Sequence, residues 1–145
     1  MSQITRDDIL DEFDSWIEDI NSLEDGYVIL VEGRKDVRSL RGLGVKTPIY
    51  KINRGYSIID LVDHVDKGSG PFEEEDPAKG VVILTDWDRK GGQLASSLAE
   101  YCRTSDLDYD LEFRRRLARL LGRWIKDVES AKSIITGLRR GRIKV

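Results

Sequence analysis

The sequence predicts an α/β protein: a parallel sheet of about four strands flanked by helices, with an N-terminal helix and a C-terminal helical extension. Three observations predict it. Tyr27–Val31 and Val81–Leu84 are continuous apolar runs, as expected of strands buried on both faces, and Pro48–Ile52 is a second short strand between them. Each run is followed by a glycine-containing break and then a stretch with helical spacing. Strands alternating with helices form parallel sheets, and right-handed crossovers then place every strand's carboxyl end on one edge.

The elements follow in order. Thr5 and Asp8 have the spacing of an acidic capping box. Ile9, Leu10, Phe13, Trp16, Ile17 and Ile20 then recur on one face, predicting a helix over 6–21 with Trp16 in the core. After the strand Tyr27–Val31 and the break at Glu32-Gly33, the run RKDVRSLRGLG predicts a short helix stopping at Gly42 or Gly44. The second strand leads to a turn at Asn53-Arg54-Gly55, an N-cap at Ser57 and a helix that carries His64 on its surface. KGSGPFEEEDPAKG, residues 67–80, is a surface loop. The third strand ends at Thr85-Asp86-Trp87-Asp88, and Gly91-Gly92 opens a helix through QLASSLAEYC. A weaker fourth strand lies near Tyr109–Leu111. One long apolar face then runs through Phe113, Leu117, Leu120, Leu121, Trp124, Ile125 and Val128. A last helix covers about 129–138, and the tail RRGRIKV is expected to be mobile.

With 145 residues, one domain is expected over 1–145: a core at about 26–112, the helix 6–21 and a basic extension 113–145. The single cysteine, Cys102, excludes an internal disulfide and a thiolate zinc cluster, and reads as a buried filler. No run reaches the ~20 apolar residues of a membrane span, so a cytoplasmic protein without a membrane partner is expected. The net charge of −3 conceals an asymmetry. Residues 1–112 carry 13 basic and 25 acidic residues, whereas 113–145 carry 11 basic and 2 acidic. A basic extension on an acidic body implies either an anionic partner such as nucleic acid or docking of the extension onto the body.

The chemistry concentrates at the strand ends. In open parallel sheets ligands bind beyond the carboxyl ends of the strands, where Glu32, Asp86 and Asp88 are expected to converge. Carboxylates held close together repel unless a cation compensates or one takes up a proton. Oxygen ligands without His or Cys select Mg²⁺, with Mn²⁺ as an alternative, and Mg²⁺ completes its shell with water and substrate phosphate. Gly33 and Gly91 sit at strand-to-helix turns that favour an anion. Arg34, Lys35, Arg89 and Lys90 flank them as phosphate contacts. Arg114, Arg115, Arg119, Arg139 and Arg140 are weaker candidates for contacting nucleic acid. Helix capping and solvated faces are the plain alternatives for these carboxylates and arginines.

VILVEGRKD, the Asn53-Arg54-Gly55 turn and VVILTDWDRKGG together resemble the Toprim domain. That domain is shared by type IA and type II topoisomerases, bacterial primases, overcoming-lysogenization nucleases and small ribosomal-RNA maturation nucleases. The resemblance covers about residues 26–103 and is greatest to the stand-alone small Toprim proteins of archaea and bacteria. It implies a Toprim-like, Rossmann-like sheet with Glu32 as general acid or base, or as a ligand. It implies Asp86 and Asp88 as Mg²⁺ ligands, and phosphodiester chemistry on nucleic acid as nuclease or processing factor. A catalytically silent module binding nucleic acid or a protein is the alternative. Trp87 departs from the pattern by its bulk, and no further domain is expected to supply a topoisomerase tyrosine. A haloacid-dehalogenase-type phosphatase would carry its D-x-D on the first strand, and a receiver domain would need an acidic pair there.

Overall fold

The computed structural model describes residues 3–52 and 78–145. The turn at 53–55, the helix after Ser57, His64 and loop positions 67–77 lie outside the described residues. The described elements are α1 (Arg6–Asn21), β1 (Tyr27–Val31), α2 (Arg34–Leu43), β2 (Ile49–Lys51) and β3 (Gly80–Ile83). They continue with α3 (Arg89–Thr104), β4 (Asp108–Asp110), α4 (Glu112–Leu121) and α5 (Ala131–Arg139).

The strands form one all-parallel sheet in the order β2-β1-β3-β4. Its register pairs Ile29 with Ile49 and with Val82, and Val82 with Asp110. Alternate strand residues serve two cores, as strand geometry dictates. Ile29, Val31, Val82 and Leu84 pack against α1, α2, α4 and α5. Val28, Leu30, Val81 and Ile83 pack against Ala95, Leu98, Ala99 and Cys102 of α3. Among the described residues no helix is long and apolar enough to cross a membrane.

α1 starts at the expected capping box, with the Thr5 amide donating to Asp8 Oδ2 at 2.9 Å and the Asp8 amide to Thr5 Oγ1 at 3.1 Å. Trp16 is a core residue, 1% exposed. Its indole N–H donates to the Phe113 carbonyl at 2.9 Å and its ring meets Phe113 edge-on, so one side chain clamps α1 to α4. α2 ends at Gly44, whose φ of 102° is the left-handed cap that glycine adopts without strain.

Two expectations are corrected in the extension. The apolar face from Phe113 to Val128 is not one helix: α4 ends at Leu121, and 122–130 turns back across the end of β3. The amides of Trp124 and Ile125 both donate to the Leu121 carbonyl, which closes the last turn. Val128 is still fully buried, so the periodicity survives although the helix does not. The tail is also anchored. Gly141 takes φ 68°, the Arg142 amide donates to the Gly137 carbonyl at 2.8 Å, and Ile143 packs on Gly137 and the larger core. That hydrophobic contact beyond a left-handed residue is the usual way a helix end is secured.

Candidate functional site

Because β1 and β3 are neighbours, the residues after them meet. The chain leaves β1 toward β2 on one side and β3 toward β4 on the other, so a crevice opens between β1 and β3. Glu32 lies at one lip and Asp86 at the other. Glu32 Oε2 accepts the Asp86 amide at 2.8 Å, a bond across 54 positions of sequence. Asp86 Oδ1 accepts the Val128 amide at 2.9 Å, supplied by the turn after α4.

The local electrostatics are those of crowded acids. Burial pushes the Asp86 carboxyl up to about 7, and the neighbouring Glu32 and Asp36 push the same way against the Val128 bond. Asp36 is buried and raised for the same first reason, with Glu32, Glu129 and Asp127 adding to it. Asp36 was not among the residues expected at the site. Its signal was its place three residues after Gly33: its Oδ2 accepts the Gly33 amide at 2.9 Å and fixes the start of α2.

Asp88 does a different job from its neighbour. It is the N-cap of α3, its Oδ1 accepting the Gly91 amide at 2.7 Å. α3 begins at Arg89, so both glycines lie inside its first turns rather than before them. Gly91 is required by close approach: a Cβ there would stand 1.9 Å from the Asp86 carbonyl oxygen. Its amide is taken by Asp88 and its carbonyl accepts the Thr85 hydroxyl at 2.7 Å, so it shapes the acidic loop.

Arg114 is the cation of the site. Its guanidinium, half-buried, donates from Nε to the Thr85 carbonyl at 3.0 Å and from Nη2 to the Asp86 carbonyl at 2.7 Å. Burial lowers its pKa, while Glu32, Asp86 and Asp88 hold the charge in place. Trp87 points away from the crevice to the turn after α4. Its indole N–H donates to the Ile125 carbonyl at 2.7 Å and its amide to the Lys126 carbonyl at 2.9 Å. Arg34, Arg89 and Lys90 are exposed at the starts of α2 and α3, and Lys35 lies 3.8 Å from Glu129. Arg139 pairs with Asp14 at 2.8 Å and Arg116 with Asp19 at 2.9 Å, so part of the basic extension is docked on α1, whereas Arg140 is exposed.

The chain from 27 to 120 matches the family model described as the Toprim domain. The chain belongs to the Toprim family. UPF0292 proteins are similar to it. The one from Methanosarcina barkeri is 37% identical over 79% of this chain and 73% of its own. The one from Pyrococcus horikoshii is 35% identical over 84% and 83%. A solved structure of a protein from Aquifex aeolicus matches with a TM-score of 0.60 at 24% identity, covering 81% of this chain and 95% of that one, a likeness of fold. Toprim domains are nucleic-acid-related metal-binding modules, and the small archaeal relatives agree with a stand-alone Toprim protein.

The donor set of this Toprim site suits a hard cation. Glu32 and Asp86 offer oxygen only, and among the described residues each gives just one carboxylate oxygen to a backbone amide. Among the described residues no three His, Cys, Asp or Glu side chains are grouped so as to hold a metal. Asp88 turned to its cap accounts for part of this. Mg²⁺ is commonly held by one or two carboxylates with waters and substrate phosphate rather than by a protein cage, so the pair Glu32 and Asp86 fits it.

Proposed function

We propose that this Toprim protein carries out Mg²⁺-dependent phosphodiester chemistry on nucleic acid, as a nuclease or processing factor. The observation that carries the proposal is the meeting of Glu32 and Asp86 across the β1–β3 crevice, where burial and mutual repulsion hold Asp86 up at about 7. Such a pair is relieved by a cation or a proton, and both are currencies of phosphoryl transfer. Glu32 and Asp86 would hold Mg²⁺, with Asp88 adding its negative charge from the same loop, and the ion would supply charge neutralisation at phosphate oxygens.

The chain's own residues supply the rest. Glu32 serves as proton carrier or ligand, and its bond to the Asp86 amide fixes where its carboxylate sits. Arg114 fixes the loop through two backbone carbonyls, so the carboxylates are presented without rearrangement. Gly33, whose Cβ position is open to 4 Å, leaves room for phosphate beside Arg34 and Lys35. Arg89 and Lys90 offer charge from the start of α3.

The silent-module reading has one observation in its favour. The carboxylates of Asp86 and Asp88 each already hold a backbone amide. Cleavage of structured RNA and of DNA with and without Mg²⁺, beside Glu32→Gln and Asp86→Asn, separates the two readings. Mg²⁺-dependent cleavage lost in both variants supports the enzyme. Salt-sensitive binding without cleavage supports the module.

A further inference from the structure

The groove between α3 and α4 is formed by Gly92, Ala95 and Ser96 on one side and Arg114, Arg115 and Arg119 on the other, with a volume of about 540 Å³. We infer that it carries the sugar-phosphate backbone of the nucleic acid flanking the acidic crevice, with Arg115 and Arg119 as its phosphate contacts. The inference rests on the nucleic-acid reading above and adds where the strand runs.

Four observations carry it. First, the groove adjoins the crevice: Arg114 Nη2 holds the Asp86 carbonyl and lies 3.7 Å from where a Cβ of Gly92 would be. A strand in the groove therefore passes the loop that bears Asp86 and Asp88. Second, the groove lacks carboxylates. Its lining is small side chains, Leu111 and three arginines, on a protein whose acidic residues outnumber its basic ones.

Third, Arg115 and Arg119 are the arginines of α4 left available, Arg114 being held by two backbone carbonyls. Arg116 and Arg139 are spent on Asp19 and Asp14 of α1, and Arg123 lies over the Trp124 ring. Arg119 is exposed with no ion-pair or hydrogen-bond partner among the described residues. Arg115 is exposed and pairs only with Glu112 of its own helix, a surface pair of little worth that a phosphate can replace. Fourth, Arg115 and Arg119 are one turn apart, about 6 Å along α4, on the scale of successive phosphates in a strand. Gly92 and Ser96 face them from α3 with no bulky side chain to block a backbone.

The test is equilibrium binding of fluorescently labelled DNA and RNA duplexes of one sequence by the full chain. It is run across a salt series without Mg²⁺, for wild type, Arg115→Gln, Arg119→Gln and the double variant. Each lost contact should weaken binding about tenfold at 0.1 M salt and lower the slope of log K against log salt by about 0.9 on B-DNA. Melting temperatures and Mg²⁺ titrations of the variants should match wild type, because neither side chain touches the acidic loop. Affinities and slopes equal to wild type on both duplexes would overturn the groove while leaving the proposed chemistry standing. Wild type that binds neither duplex would overturn both. A loss confined to one duplex supports the groove and identifies the nucleic acid it takes.

Discussion

Adjacent glycines at the start of α3 should respond in opposite ways to the same added methyl group. At Gly91 a Cβ would stand 1.9 Å from the Asp86 carbonyl oxygen, whereas real Cβ contacts essentially never fall under 3.0 Å. Gly91→Ala therefore forces the backbone of the acidic loop and the helix apart by about 1.1 Å, since neither atom belongs to a flexible side chain. Strain of this kind costs about 1–3 kcal/mol. The movement also stretches the Asp88 cap and the Thr85 hydroxyl bond, both 2.7 Å, at about 1 kcal/mol each. A total of about 3–5 kcal/mol corresponds to a fall in Tm of roughly 10–15 °C in a chain of this size. At Gly92 the nearest atom to a Cβ is Arg114 Nη2 at 3.7 Å, an ordinary contact. Gly92→Ala should instead gain about 0.5–1 kcal/mol from reduced unfolded-state freedom, raising Tm by about 2–4 °C. Thermal melts by circular dichroism, paired with Mg²⁺ titration calorimetry, read both effects. Gly91→Ala should also abolish Mg²⁺ binding, because the loop it displaces carries both aspartates. Equal melting temperatures for the two variants would refute the close approach on which the reasoning depends.

At position 88, capping and charge separate cleanly. Asp88→Asn should keep the helix cap and stability within a few tenths of a kcal/mol while weakening Mg²⁺ binding, whereas Asp88→Ala should lose about 1 kcal/mol as well. Undiminished Mg²⁺ affinity in Asp88→Asn would leave Asp88 a cap and nothing more. The crowded acids predict a pH dependence with a definite sign. The folded-state pKa of Asp86 is raised from 3.8 to about 7, so the native state binds the proton more tightly than the unfolded chain. Its contribution to stability is complete below about pH 4 and is lost as pH rises through about 7. Over that window metal-free protein should grow less stable with rising pH, as followed by denaturant unfolding, and Asp86→Asn should flatten that part of the profile. A slope unchanged in Asp86→Asn would assign it to other carboxylates.

How much of the site was legible in the sequence follows from the reach of each interaction. The Thr5–Asp8 capping box, the buried face of α1 and the run Tyr27–Val31 are set by neighbours within a turn or a strand, and periodicity reports them directly. So are the acidic residues at strand ends, because a strand's end fixes where the following side chain lies. Sequence alone therefore determined a parallel α/β sheet with Glu32, Asp86 and Asp88 beyond the carboxyl ends of its strands. Only the tertiary structure decided that β1 and β3 are adjacent, because sheet neighbours are chosen by long-range packing and not by order in the chain. That adjacency is what brings Glu32 to the Asp86 amide. The division of labour between Asp86 and Asp88 was likewise hidden, since a D-x-D spacing does not say which carboxylate turns to a helix amide. The end of α4 was masked because Trp124, Ile125 and Val128 continue to pack on the same core after the helix stops. From that turn come the amide that holds Asp86 and the carbonyls that hold Trp87. The acidic edge was written in the local sequence; the cradle that holds it comes from residues about forty positions away, and only the folded chain brings them there.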